Sequence, residues 1–308
     1  RSWISNPNYG LLAYQGRGGD VVPCIRCNKC HVSNARDMFR SVCSVNPVLG
    51  FEDKIERMIQ PPRALKKVAV VGGGPAGMEF ARVSAERGHS VTLYESSDAL
   101  GGMMKHARYP SFKWPLRQFM DFMIAQMDKK GVKVVLNTRV TRELLEKEGY
   151  DAVAVAIGAE PITPPIPGAG GDNVLFAADI YGRGDGVGGS VAVIGGGGIG
   201  VETGLYLAEL GRKVTVLEML PELIMDAPHA HYRSMVRDYW RRQPNFSYCC
   251  SVRCTAIDPD GVRYTDAQGR EHKVFCDTVL LAVGTRAKTG EAMALHGAAP
   301  CTVVIGDC

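Results

Sequence analysis

Apolar residues along this chain gather into short runs, and two of those runs are followed by the same succession of patterns. Lys67-Val-Ala-Val-Val71 predicts a short buried strand. A glycine-rich turn comes next, then a helical pattern from about Met78 to Arg87 that stops at Gly88, then a second strand, Ser90-Val-Thr-Leu-Tyr-Glu95, ending on an acid. The unit returns further on: Val68–Glu95 and Val191–Glu218 align without gaps at an offset of 123 residues, with Gly211 standing where Gly88 does. Val303-Val304-Ile305 reads as one more strand. Met120, Met123 and Met127 recur at helical spacing and, with Met103 and Met104, read as core rather than as ligand contacts. Arg233 to Arg242 reads as a solvated basic helix face, and Cys249, Cys250 and Cys254, near a predicted strand, as small buried hydrophobes.

Composition narrows this picture. A chain of 308 residues suggests about two domains, and 45% hydrophobic against 22% charged residues excludes disorder. Glycine accounts for 36 residues, about one in nine against a usual ~7%, with no Gly-X-Y period. The excess therefore serves tight turns or close backbone approach to a ligand. The net charge of +4 is scattered and argues against nucleic acid as a partner. No apolar stretch approaches the ~20 residues of a membrane helix, and no secretory signal is expected. The expectation is a soluble, cytoplasmic, ligand-binding α/β protein. Because the chain opens Arg1-Ser2-Trp3 and stops at Gly306-Asp307-Cys308, straight after a strand, both ends are expected to be truncations.

Each glycine-rich turn has the GxGxxG form between a strand and a helix, the context that dinucleotide binding requires. Gly72 supplies the tight turn, Gly74 lets a pyrophosphate approach the backbone, and Gly77 lets helix pack on strand; Gly195, Gly197 and Gly200 repeat the set. Glu95 and Glu218, closing the second strands, are placed to accept hydrogen bonds from ribose hydroxyls and to repel a 2′-phosphate. At the second turn this favours NADH over NADPH, with Arg212 and Lys213 close enough to leave the choice open. The ten cysteines split into a scattered set and a window, Cys24-Ile-Arg-Cys27-Asn-Lys-Cys30 followed by twelve residues and Cys43-Ser-Val-Asn-Pro47. Four thiolates at this spacing, the last returned by a short helical connection around 34–42, suit a [4Fe–4S] cluster or structural zinc. His31 beside Cys30 is the weaker ligand candidate, and His229 and His231, two residues apart, share no helix face for a metal.

The order of these features resembles the C-terminal half of the old-yellow-enzyme-like iron–sulfur flavoproteins, among them 2,4-dienoyl-CoA reductase, 2-enoate reductase and trimethylamine dehydrogenase. The cysteine window is followed by the first GxGxxG, Leu100-Gly101-Gly102, Val155-Ala-Ile-Gly158, Pro164-Pro-Ile-Pro-Gly168, the second GxGxxG, Leu281-Ala-Val-Gly284 and Val304-Ile-Gly-Asp307. The resemblance implies an α/β architecture of two Rossmann-like, glutathione-reductase-like domains, the second inserted in the first, after a cysteine-rich segment. It divides the chain into residues 1–60 for the cluster, 61–160 with 285–308 for FAD, and 161–284 for NAD(P)H. It implies Cys24, Cys27, Cys30 and Cys43 as cluster ligands, with a spacing nearer the trimethylamine dehydrogenase arrangement. It also implies Gly72, Gly74, Gly77, Glu95, Gly102 and Asp307 at FAD, and Gly195, Gly197, Gly200 and Glu218 at the pyridine nucleotide. Arg1 falls at the remnant of an FMN-phosphate loop, and FMN and a small-molecule substrate are expected in an N-terminal barrel of ~250 residues that this chain lacks.

The function so implied is passage of electrons from NADH through FAD and the cluster to that FMN, which reduces an enoate- or enoyl-CoA-like substrate; a homo-oligomer is compatible with it. Two alternatives stand beside it. One is an amine-dehydrogenase-like enzyme with ADP at the first site and a protein electron acceptor; the other is a non-catalytic nucleotide-binding module with structural zinc.

Overall fold

A computed structural model of the chain describes residues 2–31, 41–58, 62–181, 186–226 and 230–308. The chain divides into two compact units, Arg1–Arg108 with Phe112–Ala159 and Ala287–Cys308, and Tyr109–Ser111 with Glu160–Arg286.

The first unit opens with the short helices Ser2–Ser5 (α1), Tyr9–Tyr14 (α2) and Glu52–Met58 (α3). Its sheet then begins with Lys67–Val71 (β1), whose Val-Ala-Val-Val run is buried throughout, as suits a strand covered on both faces. Pro75–Glu86 (α4), Ser90–Tyr94 (β2), Trp114–Lys129 (α5), Lys133–Val135 (β3), Arg142–Glu148 (α6) and Ala152–Val155 (β4) follow, and Ala159–Pro161 (β5) leads out of the unit. In the second unit Val174–Phe176 (β6), Ser190–Ile194 (β7), Gly198–Glu209 (α7), Lys213–Leu217 (β8), Ala230–Trp240 (α8) and Phe246–Cys249 (β9) precede the antiparallel meander Arg253–Asp258 (β10), Gly261–Thr265 (β11) and Glu271–Phe275 (β12). Thr278–Leu281 (β13) completes that unit's parallel sheet. Thr285–Ala287 (β14), Thr289–Ala294 (α9) and Cys301–Val304 (β15) return the chain to the first unit.

The two five-stranded sheets run β15-β4-β1-β2-β3 and β6-β13-β7-β8-β9, parallel throughout, so each glycine-rich turn leaves the central strand of its own sheet. In the first unit Met78, Met123 and Met127 pack with Val68, Val70 and Leu93 on one side, while Leu145, Tyr150, Ala292 and Leu295 cover the other. In the second, Ile257 and Val262 of the meander pack on Ala192, Ile194 and Val279. Among the described residues no helix is long and apolar enough to cross a membrane.

Local chemistry explains the element boundaries. Helix α4 starts three residues before the first apolar position of the predicted pattern, because Gly74 is an extended cap and Pro75 supplies a preset φ at the first helical position. Its end is a Schellman turn: Gly88 takes φ 89, its N–H bonds the Ala85 carbonyl at 2.9 Å, and the His89 N–H bonds the Ser84 carbonyl at 3.2 Å. Gly211 ends α7 the same way at φ 82.

Three expectations need correction or limits. Met103 is 48% exposed, because it sits on the short 3₁₀ stretch Gly102–Arg108 and not on the helix that buries Met120, Met123 and Met127. The basic face of α8 is not simply solvated, since Arg233 and Arg237 both turn to Glu222. The connection expected around 34–42 lies, except for its last two residues, outside the described residues, as do Arg1 and His229.

Candidate functional site

At the first glycine-rich turn the backbone itself dictates two of the three glycines. Gly72 has φ 110, and a Cβ there would stand 2.3 Å from the Ala156 carbonyl oxygen; at Gly77 it would stand 1.9 Å from the Gly72 carbonyl oxygen. At Gly74 the nearest atom to a Cβ is Gly102 Cα at 3.9 Å, so no protein atom demands glycine there. The room lies beside the α4 N-terminus, which has no side-chain cap and leaves backbone N–H groups facing the turn.

Glu95 closes the turn from below. Its Oε2 accepts the Gly73 N–H at 2.8 Å, and its Oε1 accepts the Ser97 N–H at 2.8 Å and the Ser97 hydroxyl at 2.9 Å. Burial alone would push this carboxyl up, but the donors from Ser97 and Gly73 outweigh it and hold the group below the ordinary carboxylate range. The Leu100-Gly101-Gly102 strip lies along the same turn, with the Gly101 N–H donating to the Gly73 carbonyl at 2.9 Å. Gly306, at φ 78, passes 3.1 Å from Ala76 Cβ measured from its own would-be Cβ, which brings Asp307 to the same helix end. All six residues expected at the first site are thus gathered around one turn.

The second turn repeats this geometry. A Cβ at Gly195 would stand 2.5 Å from the Ala282 carbonyl oxygen and one at Gly200 1.9 Å from the Gly195 carbonyl oxygen. Leu223 abuts Gly196 as Leu100 abuts Gly73, extending the 123-residue offset beyond the acids. Glu218, only 7% exposed, accepts the Gly196 N–H on one oxygen and the Leu220 N–H at 2.7 Å on the other. The copies differ at the helix end. Here Asp226 accepts the Gly198 N–H at 3.2 Å and stands 3.0 Å from a Cβ at Gly197.

Cys24, Cys27, Cys30 and Cys43 border one small cavity, together with Ile4 and Arg26. The loop reaches this arrangement through two left-handed residues, Arg26 at φ 57 and Asn28 at φ 56. The Arg26 N–H donates to Cys24 Sγ at 3.4 Å, Ser44 Oγ lies 3.2 Å from Cys27 Sγ, and the Val45 and Asn46 N–H groups reach Cys43. Burial pushes the Cys43 thiol up, against those two donors. Asn46, itself buried, ties the turn to the Ile4 carbonyl at 2.8 Å. Among the described residues no three His, Cys, Asp or Glu side chains are placed to hold a single metal ion. The scattered cysteines are remote from this set in sequence: Cys249 and Cys254 pack against the second unit's core, and burial pushes the Cys254 thiol up to about 12. Ser97 and Asp226 escape motif reading, and the contact of Ser44 with Cys27 does too, though Ser44 lies in the Cys43-Ser-Val-Asn-Pro47 motif; only the adjacency of Ser97 to the acid at the strand end signals its role.

The family model of the pyridine nucleotide-disulphide oxidoreductases matches residues 42–148 and 66–299. The chain belongs to the pyridine nucleotide-disulphide oxidoreductase family. Membership implies FAD and NAD(P)H as the two dinucleotides. The chain is 34% identical over 293 residues to the NADH oxidase of Thermoanaerobacter brockii, covering 92% of this chain and 44% of that one. It is 36% identical over 211 residues to the cinnamate reductase of Clostridium sporogenes, covering 68% of this chain and 31% of that one. A solved 2-naphthoyl-CoA reductase in complex with 2-naphthoyl-CoA superposes at TM-score 0.95 with 34% identity over 100% of this chain and 46% of its own. The chain therefore spans less than half the length of these relatives, and within the family it corresponds to the C-terminal half of the enoate-reductase-like flavoproteins.

Two outcomes follow from the turn geometry. Gly77→Ala is expected to destabilise the chain by about 1–3 kcal/mol, whereas Gly74→Ala, which meets no protein atom closer than 3.9 Å and only worsens the N-cap of α4, should cost about 0.5 kcal/mol; equal losses in urea titrations would contradict the distinction drawn from the Cβ positions. Because the Glu95 carboxyl is lowered on folding, its stabilisation is present above the ordinary carboxylate pKa and lost as pH falls through the lowered folded value. Glu95→Gln should therefore be less stable than the parent near neutral pH, with the gap closing in acid. A gap independent of pH would refute that assignment.

Proposed function

We propose that this chain is the electron-entry half of an NADH-dependent flavoenzyme that reduces an unsaturated acyl compound. In this reading residues 61–160 with 285–308 hold FAD through Gly72, Gly74, Gly77, Glu95, Gly102 and Asp307. Residues 161–284 hold NADH through Gly195, Gly197, Gly200 and Glu218. Residues 1–60 hold a [4Fe–4S] cluster on Cys24, Cys27, Cys30 and Cys43. FMN and the small-molecule substrate are assigned to an N-terminal barrel outside this chain. We assign the protein to the cytoplasm, where thiols that ligate a metal centre stay reduced.

The observation that carries the reading is the membership of the cysteine-lined cavity and the first dinucleotide turn in one compact unit, with a second turn of the same build 123 residues on. The donor set fits an iron–sulfur centre. Thiols with N–H groups aimed at their sulfurs are the surroundings by which such clusters are held and tuned. Four thiols bordering one shared cavity suit a polynuclear centre. The relatives named cinnamate reductase and 2-naphthoyl-CoA reductase supply the substrate class, an unsaturated carboxyl or acyl-CoA compound.

When bound, the three groups supply a hydride donor, a converter from two-electron to one-electron transfer, and a one-electron relay. The chain's own residues position them. Gly74 leaves the α4 helix end open to pyrophosphate, and Glu95 and Glu218 face the ribose hydroxyls. The buried Glu218 carboxylate would repel a 2′-phosphate, which supports NADH, the nucleotide named in the Thermoanaerobacter relative. Asp226 must release the Gly198 N–H before a pyrophosphate takes it. No side chain of this half needs to move a proton to the substrate.

Anaerobic NADH is expected to bleach the flavin absorbance of the full-length protein. Glu218→Gln should raise the KM for NADH about ten- to a hundredfold, the loss of a charged hydrogen bond of about 1.5–3 kcal/mol. Flavin that stays oxidised under NADH would sink the electron-entry role, and a protein carrying ADP and inert to NADH would select the amine-dehydrogenase alternative.

A further inference from the structure

Arg26 sits where its backbone would favour another residue. At φ 57 it occupies the left-handed region in which glycine is at home and a long L side chain is strained. Asn28, at φ 56, is one of the few side chains that tolerate this region, so its presence needs no further reason. An arginine kept between Cys24 and Cys27 points to work done by its guanidinium.

The Arg26 side chain is exposed, and its guanidinium rests on an aromatic face. It lies over the indole of Trp114, 4.3 Å from the ring centroid, while the backbone N–H of the same residue holds Cys24 Sγ and the residue borders the cysteine cavity. Trp114 is the first residue of α5, whose Met120, Met123 and Met127 are buried in the core of the first unit. The last turn of the same helix holds the segment before the cysteines: Lys129 Nζ donates to the Gly19 carbonyl at 3.1 Å and to Asp20 Oδ1 at 2.9 Å, and Asp20 also takes Arg17 Nε at 3.0 Å. One helix thus holds this segment at Gly19–Asp20 and again at Arg26.

We propose that Arg26, pinned on Trp114, is a positioning residue that fixes a permanent positive charge beside the four cysteines and thereby raises the reduction potential of the centre they hold. The proposal rests on the iron–sulfur reading of the cysteines given above. Adding one electron to a thiolate-bound centre adds one negative charge, and a cation held at its edge stabilises the reduced form more than the oxidised one. Arginine suits the task because its charge persists at every working pH and its plane stacks on an aromatic face. The stack on Trp114, the first residue of α5, holds the guanidinium in one place.

The test is an anaerobic dithionite titration of the full-length holoenzyme followed by electron paramagnetic resonance, with iron counted in every sample. Arg26→Gln and Arg26→Gly should each shift the oxidised-to-reduced ratio at a set potential about tenfold toward the oxidised form, a fall of 59 mV for a one-electron couple. Arg26→Lys should restore most of the potential, and Trp114→Leu should lower it in the same direction by a smaller amount. Arg26→Gly relaxes the backbone, so a merely structural role predicts a potential unchanged or restored in that variant. A potential in Arg26→Gln and Arg26→Gly equal to the parent's, at equal iron content, overturns the proposal. Parent protein without iron overturns the cluster reading itself, and the iron count separates the two failures.

Discussion

The carbonyl oxygen of Gly72 lies where a side chain at position 77 would have to be, and the carbonyl oxygen of Gly195 does the same to position 200. That contact between strand end and helix start is the constraint on which the rest of each unit depends. It lets α4 and α7 begin directly against the central strand of a parallel sheet, with their free N–H groups at its C-terminal edge, where open α/β sheets bind their ligands. It also sets where the next strand ends, and so puts Glu95 and Glu218 under the turns, accepting the Gly73 and Gly196 N–H groups respectively. Every larger side chain would part helix from strand and scatter these groups together.

Two copies of one solution then diverge by small polar changes. At the first turn Ser97 supplies two further donors to Glu95 and the helix end stays without a side-chain cap. At the second, Leu220 supplies the corresponding backbone donor and Asp226 reaches the helix end. The cysteine loop uses the opposite strategy to the glycine turns. It turns through left-handed Arg26 and Asn28 rather than through glycine, and its position relies on side chains, Asn46 to the Ile4 carbonyl and Arg26 to Trp114.

Much of this was legible because glycine spacing and valine runs report backbone requirements directly. Gly72, Gly77 and their copies are dictated by contacts a few residues away, and Gly88 and Gly211 by helix termination, so sequence pattern suffices for them. The methionine stripe of α5 was legible for the same local reason, and Met103 misled because its neighbours form a 3₁₀ turn whose exposure depends on tertiary packing. Asp226, 28 residues beyond its Gly198 partner, and Trp114, far along the chain from Arg26, are brought in by the fold alone. Periodicity carries no trace of such pairs. Asn46 was visible inside the Cys43-Ser-Val-Asn-Pro47 motif, but its anchoring of α1 was not, since the partner is a backbone carbonyl.

The central claim is that one chain gathers a flavin dinucleotide site and a four-cysteine iron–sulfur site in the same unit. Chemical analysis of the purified full-length protein tests it most directly, by counting iron, zinc and acid-released flavin per polypeptide. The account predicts iron and sulfide in cluster stoichiometry, one FAD for each chain beside the barrel's FMN, and no zinc. Zinc in place of iron, with ADP or no dinucleotide released, would contradict it.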